Sequence, residues 1–178
     1  MKTLLLNSLE INIKQSDITK ETTDAIVNAA NKEMIPGGGV DGAINRAAGP
    51  DLGSAQRKLG PIETGEAVIT AGFALPAKYV IHTAGPIWHD GANDEEHELA
   101  ASYLNSLNLA KEHKLTSISF PAISTGVYHF PLDLAVKIVF ETLTEFSQNP
   151  GTVQVINLVN FDSKTNVVYE KYFAMKLD

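Results

Sequence analysis

Short aliphatic and β-branched runs alternate with helical patterns along the whole chain. Strands are predicted over residues 4–6, 11–15, 25–28, 67–71, 79–83, 117–120 and 154–158. Between them, Leu99, Ala100, Tyr103, Leu104, Leu107 and Ala110 recur at three- and four-residue steps and predict a helix over 97–111. Ala135, Ile138, Val139, Leu143 and Phe146 predict another over 132–146, and Val167, Val168, Tyr172 and Met175 a third over 164–175. A short helix over 40–48 is expected to end at Gly49-Pro50, and residues 89–98, with Gly91 and five acidic side chains, read as a polar surface loop. Apolar strands alternating with helices are buried on both faces, which specifies a layered α/β fold with a mostly parallel sheet.

Composition narrows this. With 178 residues, the chain is long enough to bury roughly 70% of its unfolded surface, so one core forms without staples. There is no Cys and hence no disulfide framework. No apolar run reaches the roughly 18 residues of a membrane span, and the start lacks a secretory h-region, so a cytoplasmic location is expected. The formal charge of −7 disfavours general nucleic-acid binding but leaves small anions open. Backbone N–H groups at a helix N-terminus hold phosphate without any basic side chain.

In open α/β sheets, ligands sit at the carboxyl ends of the strands. Two loops leave such ends: Asn28-Ala-Ala-Asn31 followed by Gly37-Gly-Gly-Val-Asp-Gly42, and Pro121-Ala-Ile-Ser-Thr-Gly-Val-Tyr128. Glycines before a helix let the backbone turn several N–H groups toward one anion, though a tight turn would use them equally well. Ser124-Thr125-Gly126 repeats that chemistry, and the pair suits a diphosphate-containing nucleotide. Tyr128 either lies against a sugar or base or covers the core edge. Asp41 either serves the helix dipole or orients a water, and Asn31 either bonds sugar hydroxyls or fixes its loop. Asp17 follows a strand, where it either accepts from an exocyclic amine or closes an ordinary turn. The five His residues are scattered and no metal site is expected. Ser124 has no assignable His and Asp partners for a nucleophilic triad.

The strings SDITK, DAIVNAAN, GGGVDGAINRAAGP, TGEAVIT, LPAKYVIHTAGP and FPAISTGVYHFP follow one another from Ser16 to Pro131. In them the chain resembles the macrodomain family, in particular the branch that hydrolyses O-acetyl-ADP-ribose and ADP-ribose esters of acidic side chains. The resemblance implies a three-layer α/β/α fold with a mixed, mostly parallel sheet, one domain over 1–178, and an ADP-ribose cleft. It places the adenine amine on Asp17 and a ring nitrogen on the Ile18 N–H. Gly38, Gly39 and Val40, with Ser124, Thr125, Gly126, Val127 and Tyr128, would hold the diphosphate and distal ribose. Asn31 would contact distal ribose hydroxyls and Asp41 would orient or activate the attacking water, without metal or cofactor. Implied partners are ADP-ribose, its esters and mono-ADP-ribosylated proteins. Alternatives are a reader that binds without cleaving and a regulator of an RNA-processing partner. The chain departs from the branch at Ser16, Pro36 and His129, where glycine is usual, and at Asn45, where histidine is frequent.

Overall fold

The computed structural model describes residues 1–177. Its seven strands are β1 (Lys2–Leu6), β2 (Leu9–Gln15), β3 (Ala25–Ala29), β4 (Ala67–Ala71), β5 (Tyr79–Thr83), β6 (Ser117–Phe120) and β7 (Val155–Asn160). They form one sheet in the order β1-β2-β7-β6-β3-β5-β4. The pairs β2-β7, β7-β6, β6-β3 and β3-β5 are parallel, while β1-β2 and β5-β4 at the two margins are antiparallel. The helices are α1 (Gly39–Ala48), α2 (Pro50–Leu59), α3 (Glu95–Glu112), α4 (Leu132–Phe146) and α5 (Ser163–Leu177).

Strand alternation divides the buried residues between two faces. Ile11, Ile13, Ile156, Leu158, Ile118, Phe120, Ala25, Val27 and Ile81 join α3, α4 and α5 in the main core. Ile26, Val80 and Val159 face the other way, against Ile44 and Ala48 of α1 and Leu52 of α2. The molecule is therefore a three-layer α/β/α fold.

The α1 and α2 layer covers mainly the β3-β5-β4 half of its face. Over β2, β7 and β6 the aligned positions are Asn12, Asn157 and Ser119. Glu21 completes this polar ladder, accepting from Lys14 Nζ at 2.8 Å, Ser119 Oγ at 2.9 Å and Asn157 Nδ2 at 2.8 Å. A buried carboxylate needs such partners, because an unpaired charge there would be expensive.

Three sequence expectations are corrected. Gly49-Pro50 ends α1 but does not end helix: Pro50 stands at the start of α2, where its missing N–H costs nothing and its fixed φ suits the first turn. The polar stretch 89–98 is loop only to Asp94, since α3 starts at Glu95. Glu95 is buried and accepts from the N–H groups of His89 and Asn93 at 2.7 and 2.8 Å. Strands β1 and β2 extend toward each other through a tight turn in which Asn7 takes a left-handed φ of 54°. No helix among the described residues is long and apolar enough to cross a membrane.

Candidate functional site

All five parallel strands end at one edge of the sheet. There β3 and β6 pair only at Ala25–Ile118 and Ile26–Ser119. Beyond Ile26 and Ser119 the two strands no longer pair among the described residues, and ligands of open α/β sheets sit where loops leave such strand ends.

The loop after β3 is folded by its own side chains. Asn31 Nδ2 donates to Ile35 O at 2.7 Å and Asn31 Oδ1 accepts from Ile35 N at 3.1 Å. Gly37 N donates to Asp41 Oδ2 at 2.6 Å. A Cβ on Gly37 would lie 3.6 Å from both Asn31 Nδ2 and Asp41 Oδ2, so these two side chains converge on one point of the loop. Position 42 must be glycine, because a Cβ there would meet Gly37 O at 2.7 Å. Gly38 caps α1 without a side chain. Among the described residues nothing accepts from the N–H groups of Gly39, Val40 and Asp41, so the first turn of α1 carries free donors.

Asp41 is buried in the first turn of α1. Its Oδ1 accepts from Asn28 Nδ2 at 2.6 Å, Asn45 Nδ2 at 3.1 Å and Gln56 Nε2 at 3.1 Å. With Gly37 N on Oδ2, four donors meet a carboxylate with about four acceptor directions. Three of the four crowd onto Oδ1, which leaves Oδ2 one direction open. Asn28 also gives its second hydrogen to His82 Nδ1 at 3.0 Å. Burial pulls the His82 imidazole down to about 4. The ring is neutral, with its proton on Nε2 toward Thr70 Oγ1 at 2.9 Å.

The loop after β6 is held against the loop after β5. A Cβ on Gly85 would come within 2.3 Å of Ser124 Oγ and 2.5 Å of the Ile123 methyl group, so glycine alone permits this approach. Trp88 N donates to Tyr128 O at 2.9 Å, and the Trp88 ring packs on Phe130 at 4.8 Å. Ser124 adopts a left-handed φ of 65° and His129 one of 59°. Phe130 N donates back to Ser124 O, and His129 N to Gly126 O, both at 3.0 Å. The N–H groups of Thr125, Gly126 and Val127 find no acceptor among the described residues. Val127 is exposed and Tyr128 half-buried.

Asp17 and Ile18 lie further along the same edge, after β2. Asp17 Oδ1 accepts from Thr19 N at 3.0 Å and Thr19 Oγ1 at 2.7 Å. Those two bonds to Thr19 hold the carboxyl below the usual range. The turn uses only one of its oxygens. The Ile18 side chain is buried, anchoring the turn. Two residues of this edge escaped the sequence reading. Phe161, 91% exposed directly after β7, stands beside the Asp17 turn, since Ser16 N bonds Asn160 O and Gln15 Nε2 bonds Phe161 O. Its signal was a large aromatic placed just before the Asp162 that caps α5. Gln56 was missed because α2 was missed.

The comparisons with known proteins agree with this architecture. The Macro domain family matches residues 27–139. A Macro domain-containing protein of Lactiplantibacillus plantarum is 54% identical over 93% of this chain and 97% of its own length. An O-acetyl-ADP-ribose deacetylase of Escherichia coli is 45% identical over 94% of this chain and 97% of its own. The Oceanobacillus iheyensis macrodomain solved with ADP superposes with a TM-score of 0.92 at 42% identity, covering 98% of this chain and 97% of that one. The Trypanosoma brucei macrodomain solved with ADP-ribose gives 0.85 at 35% identity, over 93% of this chain and 69% of that one. The chain belongs to the Macro domain family.

Proposed function

We propose that this protein binds ADP-ribose along the strand-end edge and hydrolyses esters at its distal ribose, both O-acetyl-ADP-ribose and mono-ADP-ribose esters of acidic protein side chains. The observation that carries the reading is that the loops after the paired strands β3 and β6 each present a set of free backbone N–H groups, Gly39 to Asp41 and Thr125 to Val127. Such donors suit a diphosphate in a chain of net charge −7 that has no basic cluster to offer it. The order of strands supports one polarity for the ligand. Adenine lies toward β2 and β7, its amine on the free oxygen of Asp17, a ring nitrogen on the Ile18 N–H and its face on Phe161. The distal ribose lies toward Asn31 and Asp41.

In the hydrolytic step a water oxygen attacks the ester carbonyl carbon, the bond from that carbon to the ribose oxygen breaks, and the proton lost by water ends on the ribose hydroxyl. The products are a carboxylic acid and ADP-ribose. Asp41 Oδ2, with one acceptor direction left, receives a hydrogen of that water, and Asn31 Nδ2 holds the neighbouring hydroxyl. A second reading, a module that reads ADP-ribose without cleaving it, draws support from the crowding of Asp41, whose carboxylate is committed to holding Gly37 in place. Calorimetric titration tests the binding: ADP-ribose should bind at least tenfold more tightly than adenosine or ribose 5-phosphate, each of which satisfies half of the edge. Equal affinities for the three would sink the reading.

A further inference from the structure

Strand pairing stops at Phe120, where β6 last meets β7 opposite Leu158. The next backbone groups enter the diphosphate-side loop while still buried, and strand partners no longer satisfy them. Tyr103 of α3 takes over. Its hydroxyl donates to Pro121 O at 3.2 Å and accepts from Ile123 N at 3.2 Å. The phenol of Tyr169, buried in α5, interacts with this hydroxyl. The phenol thus spends its one donor position and one acceptor position on two backbone groups of the same loop. The Tyr103 ring lies 5.0 Å from that of Phe120, so both ends of the side chain are fixed.

Resting on the function proposed above, we propose that Tyr103 is a positioning residue for the diphosphate, fixing the root of the Ser124 to Tyr128 loop so that its free N–H groups face those of α1. Tyr169 in turn fixes Tyr103. The chain of contacts continues past the hydroxyl. Ile123, gripped at its N–H, presses its methyl group and the following Ser124 Oγ onto Gly85. That contact sets how far the loop after β6 stands from the loop after β5. Ring packing alone does not explain the hydroxyl, because a phenylalanine would fill the same space against Phe120. Burial pushes the Tyr103 phenol up to about 12, so it keeps its proton and its donor role over the whole working range.

The test compares the wild type with Tyr103→Phe and Tyr169→Phe, both of which preserve volume. Titration with ADP-ribose and with adenosine is paired with amide hydrogen exchange. Removing the Tyr103 hydroxyl strands one buried N–H and one C=O, and the dissociation constant for ADP-ribose should rise about tenfold. Adenosine, which makes no diphosphate contacts, should change less than twofold. Tyr169→Phe, which leaves both backbone bonds of Tyr103 in place, should give a smaller rise, about threefold. Exchange should quicken from Ile123 to Tyr128 and stay unchanged in the loop after β3. Unchanged ADP-ribose affinity in a folded Tyr103→Phe protein would overturn the proposal, and so would equal losses for both ligands or exchange that quickens everywhere. A wild type that bound no ADP-ribose would remove the ligand assignment instead, and the proposal would fall with it even if exchange showed Tyr103 holding the loop.

Discussion

Asn28 Nδ2 stands 2.6 Å from Asp41 Oδ1, and with its other hydrogen it reaches His82 Nδ1 at 3.0 Å. One buried amide thus joins β3 to the first turn of α1 and to β5. Because Nδ1 accepts, the imidazole must stay neutral for the amide to keep its orientation. A proton on Nδ1 would point at the Asn28 N–H and break the link that positions Asp41.

This makes stability depend on pH in a defined window. An unfolded histidine protonates near 6.5, whereas His82 in the fold resists until about 4. Between those values the unfolded chain holds the extra proton, so stability falls as pH falls. The slope approaches about 1.4 kcal/mol per pH unit, or roughly 3 kcal/mol across the window. Urea unfolding at pH 7, 5.5 and 4.5 measures the loss, and NMR of the ring carbons assigns it. A ring that titrates near 6.5 in the folded protein contradicts this account.

Replacing Asp41 by Ala would leave the amides of Asn28, Asn45 and Gln56 and the Gly37 N–H without their shared acceptor. Unsatisfied buried donors cost about 1 to 3 kcal/mol each, less where water enters. The expected loss is about 3 kcal/mol in chemical denaturation. Asp41→Asn, which keeps one acceptor oxygen, should lose about half of that. A loss below about 0.5 kcal/mol for Asp41→Ala would show that the network carries no stability.

Gly85→Ala forces a methyl group into Ser124 and Ile123. Overpacking of this kind costs about 1 to 3 kcal/mol. It should also push the two loops apart, weakening ADP-ribose more than adenosine. A melting temperature and an affinity both at wild-type values would show that the loops are not in contact in solution.

Phe161→Ala removes a ring that is 91% exposed, so stability should stay within about 0.5 kcal/mol. Loss of stacking should weaken ADP-ribose about tenfold and ribose 5-phosphate not at all. Parallel losses for both ligands would move the adenine elsewhere.

The layered fold was legible because every strand was an apolar run and three helices kept their periodicity. The two loops were legible because Asn28 to Asn31 leads from one strand to Gly37-Gly-Gly, and Pro121 leads from another to Ser124-Thr-Gly. Helix α2 was not, since Gly49-Pro50 reads as a stop and only the packing of Leu52 against Ile26 and Val80 shows that a second helix starts there. The start of α3 was hidden for a similar reason. Glu95 reads as surface, yet its carboxylate is buried under backbone N–H groups that no spacing rule reveals. For Asp41 and Asn31 the sequence left two uses open for each. Both side chains fold their own loop, and both point at Gly37.

The central claim is that the site cleaves as well as binds, and the most direct measurement is release of free ADP-ribose from O-acetyl-ADP-ribose and from a protein carrying aspartate- or glutamate-linked mono-ADP-ribose. The wild type should release ADP-ribose from the esters catalytically. Asp41→Asn should slow release about 10²- to 10⁴-fold while still binding ADP-ribose, as expected when a positioned acceptor for water is lost. A wild type that binds ADP-ribose tightly but releases none from either ester would contradict the account, and so would a folded Asp41→Asn protein that works at the wild-type rate.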